Sequence, residues 1–274
     1  MRGDPAWEPP HERRRMSAID DGRPHAERMA ATSQSTWLGG YRVQSVTRER
    51  LAEDLLKALD SGRKRQVFFA NTNFVVQCRA LRKRLQAPSV SVVNDGIGMD
   101  LASLLIHRRR FAENLNGTDF IPYLCTQRTR PLRFFLLGSK PGVALQAGRH
   151  LVEKLGQQVV GTCDGYAEYT EAADGLVERI NASGAEVVLV AFGNPRQEAW
   201  ILDHCDACDA AVMFGIGALL DFLSGKARRA PPWVRRLHLE WLFRLYLEPR
   251  RLLKRYTWDM IGFFWICLRA GKQS

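Results

Sequence analysis

The stretch QVFFANTNF, residues 66–74, decides the fold. QVFFA is a short run rich in aromatic and β-branched side chains, NTN is a polar break, and Phe74 reopens an apolar pattern. That order reads as a buried strand, a loop and a helix start. The same grammar recurs along the chain. VSVV (90–93) runs into NDG, RFFLL (133–137) into GSK, QVVG (158–161) into TCDGY, VVLVAF (187–192) into GNPRQE, and AVMF (211–214) into GIG. Longer helical patterns separate these runs from about residue 37 onward, so the sequence predicts a layered α/β domain with a mainly parallel sheet. In such sheets ligands bind beyond the carboxyl ends of the strands, and the six polar loops are therefore expected to share one crevice.

Charge divides the chain differently. The net charge is +11, but residues 226–274 hold twelve basic and three acidic side chains and so supply nine of the eleven excess charges. The stretch GKARRAPPWVRRLHLEWLFRLYLEPRRLLKRY (225–256) mixes ten Lys and Arg with Trp, Tyr and Phe. Such a segment attracts phosphates of nucleotides, nucleic acids or lipid head groups. Residues 1–36 are polar and interrupted by proline, and they are expected to form a disordered extension without a signal peptide, with Met16 and Met29 as alternative starts. The expected division is an extension (1–36), an α/β core (37–225) and a basic helical appendage (226–274). Six cysteines without a regular framework suit reduced, intracellular thiols, and the lone CxxC of Cys205 and Cys208 lacks a second ligand pair for zinc.

The loops carry the candidate chemistry. Asp95 follows a buried strand and precedes a helix, where its carboxylate can act as a general base or simply cap the helix. NTNF (71–74) offers two amides and a hydroxyl, for sugar hydroxyls or a nucleotide, or for an N-cap by Thr72 or Asn73. GNPRQE places Gly193, Pro195, Gln197 and Glu198 at a helix start, a natural anion site and equally a stable first turn. Gly138, Tyr166, Gly215 and Asp221 complete the loop set, and Asn94 precedes Asp95. No Walker A loop, HExxH, GxSxG or Asp-x-Asp occurs. No cofactor or metal ligand set is expected, and cationic side chains would have to neutralise a diphosphate leaving group.

Taken in order, NTNF, NDGIG, NGTDF, FLLGSKPGVA, GTCDGY, AFGNPRQEAWI, FGIGALLDFLSG, RRAPPW and LEWLFRLYLEPRRLLKRY resemble the bacterial WecG/TagA/CpsF glycosyltransferases over about residues 38–258. The resemblance implies a Rossmann-like core and an inverting transfer of a hexose from a UDP-sugar to a polyprenyl-diphosphate-linked sugar at the inner face of the plasma membrane. It also implies Asp95 as base, with Thr72 beside it. C-terminal arginines, here Arg228, Arg229, Arg244, Arg250 and Arg251, would complete the site over the diphosphate. N-acetylmannosamine, its uronic acid and glucose all remain open as the donor sugar. Asn94 departs from the Ala of many relatives.

The helix pattern from Trp233 to Leu247 has two apolar groups, Trp233, Leu237, Trp241 and Leu245 against Leu239, Phe243 and Tyr246. One group suits the core and the other an anionic lipid interface, or else both are buried in the protein or a homo-oligomer. The rival classes are a nucleic-acid-binding protein, disfavoured by a nearly neutral core and the lack of a recognisable module, and a non-catalytic UDP-sugar binder.

Overall fold

The computed structural model describes residues 34–227, 229–231, 234, 240–247 and 260–269. Most of the expected N-terminal extension, and Arg228, Arg250 and Arg251, lie outside the described residues. The strands are β1 (Gln34–Leu38), β2 (Tyr41–Ser45), β3 (Arg65–Ala70), β4 (Val90–Asn94), β5 (Arg133–Gly138), β6 (Gln158–Cys163), β7 (Val187–Ala191) and β8 (Val212–Gly215). They form one sheet in the order β1-β2-β4-β3-β8-β7-β5-β6. All pairings are parallel except β1 with β2. The six expected strands are all present, and the mainly parallel α/β class holds.

The β1–β2 hairpin is an addition that the sequence reading lacks. It turns through Gly39 and Gly40, both at positive φ, as a two-residue hairpin requires. β1 begins at Gln34, so the sheet takes in the last three residues of the segment assigned to the extension.

The inner strands are apolar on both faces because helices cover both. Phe68 and Ala70 of β3 join one layer and Val67 and Phe69 the other; Phe135 and Leu137 of β5 oppose Phe134 and Leu136 in the same way. Each enclosed Phe contributes about 1.5–3 kcal/mol of burial. The helices are α1 (Arg48–Ser61), α2 (Thr72–Gln77), α3 (Ile97–His107), α4 (Gly117–Thr126), α5 (Val143–Glu153), α6 (Ala167–Ala172), α7 (Leu176–Ala182), α8 (Arg196–His204), α9 (Leu219–Leu223) and α10 (Glu240–Leu247). α1, α4, α5 and α9 bury residues in one layer, led by Leu55, Phe120, Leu151 and Leu220. α2, α3, α7 and α8 line the other with Phe74, Met99, Ile180 and Trp200.

The same second layer receives Phe263, Ile266 and Cys267 from the helical residues 260–269. The C-terminal segment thus packs onto the core at its far end. α10 carries Leu242 and Tyr246 exposed and Phe243 and Leu245 half-buried. No helix among the described residues is long and apolar enough to cross a membrane.

All six cysteines are buried and free, Cys205 and Cys208 included. Burial pushes the thiols of Cys163 and Cys208 up to about 11 and those of Cys125 and Cys267 up to about 12. A thiol reagent at pH 8 is therefore expected to find almost no reactive cysteine in the native protein and all six after denaturation. Fast labelling of Cys205 and Cys208 in the native state would contradict this burial.

Candidate active site

β3 and β4 run side by side in register, with Ala70 opposite Asn94. Their first loop residues, Asn71 and Asp95, therefore emerge next to each other. Asn71 caps α2: its Oδ1 accepts from the Phe74 backbone N–H at 3.1 Å. The sequence reading gives that cap to Thr72 or Asn73, but the strand ends at Ala70, which moves the capping position one residue earlier. The Asn71 amide also donates to Asp95 Oδ2 at 3.3 Å. One side chain thus fixes both the helix start and the carboxylate.

Asp95 does not cap α3. That position belongs to Gly96, at φ 94° and ψ 155°, a conformation open essentially to glycine alone. The Asp95 backbone N–H donates to Ala70 at 2.7 Å, and Asn114 Oδ1 accepts from the Gly96 N–H at 2.8 Å. Asp95 is left half-buried at the rim, with its loop braced from both sides. Thr72 is buried at the head of α2, against Gly98 of α3, where a Cβ would lie 2.5 Å from the Thr72 methyl. Asn73 beside it is half-buried. Asn94 is fully enclosed beneath the loop, and among the described residues neither atom of its amide has a hydrogen-bond partner. Such a group costs about 1–3 kcal/mol.

The β7 and β8 loops are tied together from inside. Gln197 Oε1 accepts from the backbone N–H of Gly193 (3.2 Å) and of Gly217 (3.1 Å), and its amide donates to Glu198 Oε1 at 2.8 Å. Cys78 Sγ donates to Glu198 Oε2 at 3.5 Å. Gln197 and Glu198 are 3% and 0% exposed. The sequence reading makes them ligand contacts; the structure instead sets them under the loops, where Gln197 lies over Gly215. Burial raises the Glu198 carboxyl above its ordinary range, against the donors that lower it. Pro195 sits immediately before α8, as the motif leads one to expect.

At the far side of the sheet, Gly138 is a packing position: a Cβ there would stand 2.7 Å from the Ala191 carbonyl. Tyr166 is 56% exposed and lines a cleft of about 610 Å³ with Tyr169, Thr170, Glu171 and Arg196. β4 and β6 are five places apart in the sheet order, about 24 Å at strand spacing. The six loops share one edge, yet Asp95 and Tyr166 stand at its two ends.

Asp221 lies in the first turn of α9. Of the basic candidates, Arg229 is described and pairs with Asp119 at 2.7 Å. Asp119 sits in the first turn of α4, beside Asn116, which caps that helix. Gly117 at the same helix start would bring a Cβ within 3.8 Å of the Ile216 carbonyl in the β8 loop. Arg229 thus belongs to the wall between the β8 loop and α4, already engaged with a carboxylate. Arg244 is on α10, and nothing of its side chain is described. Asn114 and Asp119 are polar residues at the site that the sequence reading did not single out, and it counted Asn71 as one of two loop amides without seeing it as the cap of α2 or the partner of Asp95.

Residues 36–274 match the Glycosyl transferase WecG/TagA/CpsF family. The chain belongs to that family. The membership makes it a glycosyltransferase of cell-envelope polymer synthesis, with a sugar donor and a lipid-linked acceptor as its kinds of partner. Asp95 stands at the end of β4 with its carboxylate held by the Asn71 amide.

Two substitutions test this architecture. Asn71→Ser keeps a capping oxygen and removes the amide donor to Asp95. Its stability is expected to stay within about 0.5 kcal/mol in a urea titration while kcat falls. An unchanged kcat would make Asn71 a helix cap alone, and a matching loss of stability would make the fall in kcat a folding effect. For Glu198, the folded protein holds a proton that the unfolded chain releases near pH 4.5, so stability falls as pH rises above that value. Glu198→Gln removes this dependence, and its melting temperature is expected to gain on wild type as pH rises from 4.5; a difference that stays constant from pH 4 upward would show that Glu198 does not hold the proton.

Proposed function

We propose that the protein is an inverting, metal-independent hexosyltransferase. It would move N-acetylmannosamine, N-acetylmannosaminuronic acid or glucose from a UDP-sugar to a sugar on a polyprenyl diphosphate, while attached peripherally to the inner face of the plasma membrane. The observation that carries this reading is the Asn71–Asp95 pair at adjacent strand ends in a chain of this family.

Asp95 takes the proton from the acceptor hydroxyl, whose oxygen attacks the anomeric carbon from the face opposite UDP. The bond to UDP breaks and the pair of electrons leaves with the diphosphate. General-base assistance of this kind is worth about 10²–10⁴-fold. Gln197 acts one layer down, holding the Gly193 and Gly217 backbones that face the donor. Arg229 and the basic residues that follow it answer the growing charge on the leaving group. Asp119 keeps Arg229 in place until the diphosphate competes for it.

The decisive assay is UDP release from a panel of UDP-sugars with a short-chain prenyl-diphosphate-sugar acceptor and EDTA present. One donor is expected to give release that survives EDTA and falls by about 10²–10⁴-fold in Asp95→Asn. UDP binding should persist in that variant. Loss of binding together with turnover would reassign Asp95 to structure, and EDTA sensitivity would end the metal-independent reading.

A further inference from the structure

α3 leaves directly from the Asp95 loop, and it is apolar on both sides. Gly98, Met99 and Ala102 face the core, whereas Leu101, Leu104 and Leu105 point outward, Leu105 with 70% of its surface exposed. The helical residues 260–269 repeat the pattern, with Phe263, Ile266 and Cys267 inside and Ile261, Trp265 and Leu268 outside. These two segments and the β1–β2 hairpin touch. A Cβ at Gly98 would lie 3.9 Å from Met260 Sδ, one at Gly39 would lie 3.4 Å from Cys267 Sγ, and His107 Nε2 is 2.8 Å from the carbonyl oxygen of the exposed Trp37. A helix facing water turns a polar side outward; these two do not.

The rim of the face is cationic. Arg108, Arg109 and Arg110 are exposed just past α3, where Arg108 caps the helix in the left-handed region and Ser103 Oγ donates to the Arg109 carbonyl. The Arg269 guanidinium sits 3.6 Å over the Trp265 ring. Among the described residues of α3, β1 and 260–269, Asp100 is the one acidic side chain, and it lies in the first turn of α3.

We propose that this face, built from α3, Trp37 and residues 260–269, is the surface by which the protein docks on an anionic lipid bilayer. Outward Leu, Ile and Trp with an Arg rim match the acyl boundary and the anionic head groups above it. The occupant is a membrane because apolar burial and cation pairing are offered together on one face. Its location differs from the helix of residues 233–247 to which the sequence reading assigns lipid contact. The consequence rests on the lipid-linked acceptor proposed above. An apolar helix sinks about 5–10 Å into the interface, so docking along α3 sets the adjoining Asp95 loop at head-group level, where the acceptor's diphosphate would lie.

The test is flotation of the full-length protein with phosphatidylcholine vesicles and with vesicles of phosphatidylcholine and phosphatidylglycerol in equal parts. Wild type is expected to float with the mixed vesicles. The pair Leu101→Asp with Leu105→Asp, and separately Ile261→Asp with Trp265→Asp, should each lower partitioning roughly tenfold or more. Arg109→Ala with Arg110→Ala should weaken binding to mixed vesicles roughly tenfold and leave binding to phosphatidylcholine unchanged. UDP release with a short-chain, water-soluble acceptor should be unaffected in the α3 variants and should fail only with a long-chain acceptor in vesicles. Circular dichroism checks the fold, and Leu105→Gln, a milder change at the most exposed position, serves where a double variant does not fold. Undiminished flotation of folded apolar variants would overturn the proposal. So would a shift from dimer to monomer in light scattering with flotation unchanged, which would make this face a contact between copies. Absence of UDP release from every donor would remove the transfer reading alone, because flotation is measured without turnover.

Discussion

The parallel register of β3 and β4 is the constraint on which the site depends. Because Ala70 stands opposite Asn94, the first loop residues of both strands leave the sheet at one level, and the Asn71 amide meets the Asp95 carboxylate without either chain reaching. The backbone bond from the Asp95 N–H to the Ala70 carbonyl continues the ladder one step past the last strand residue. Asn71 in turn holds the first turn of α2. A slip of one residue in this pairing would turn every β4 side chain to the other face and carry Asp95 away from Asn71. Two strands buried on both faces resist such a slip, since it would exchange the whole of two apolar layers.

The other half of the crevice obeys a similar economy. Gln197 spends its one carbonyl oxygen on two backbone N–H groups from different loops, and Glu198 anchors the Gln197 amide from a position without solvent. Loops carry chemistry but hold shape poorly. A buried polar chain running from Cys78 through Glu198 and Gln197 to Gly193 and Gly217 supplies that shape. The cost is a carboxyl kept away from water, and it is met by hydrogen bonds rather than by a cation.

The six expected strands are legible in the sequence because each is an apolar run cut off by polar residues; β3, β4, β5, β7 and β8 are enclosed by helices on both faces, and β6 is a half-buried edge. The hairpin is less legible: QSTWL and YRVQS mix polar and apolar residues because β1 is an edge strand, half open to solvent. Its signal was the Gly39-Gly40 pair. Asp95 was legible as a residue but its partner was not, since any of the three residues in NTN can cap a helix and only the strand's end decides which one does. The roles of Gln197 and Glu198 were hidden for a different reason. Charged and amide side chains in a first turn suggest a ligand, whereas their burial depends on where α8 packs against β8 and against the short 3-10 turn Cys78–Leu81, contacts far apart in the chain. Arg229 was legible as basic, and its engagement with Asp119 depends on how α4 sits against the β8 loop.

Distance along the sheet limits what each loop can do. With Asp95 as the proposed base, the reacting hydroxyl would sit over the ends of β3 and β4, because a general base acts on a proton about one hydrogen bond away. The β8 and β7 loops are two and three places from β4, roughly 10–14 Å, and the cleft beside Tyr166 is five places away. On that proposal a sugar over Asp95 is reached by the β3, β4 and β8 loops, and the rest of the donor would extend toward β7. Tyr166, beyond the end of β6, is the loop candidate set farthest from Asp95 along the sheet. Arg229, on the α4 side of the β8 loop and paired with Asp119, lies between these limits, where the diphosphate of the proposed donor would pass.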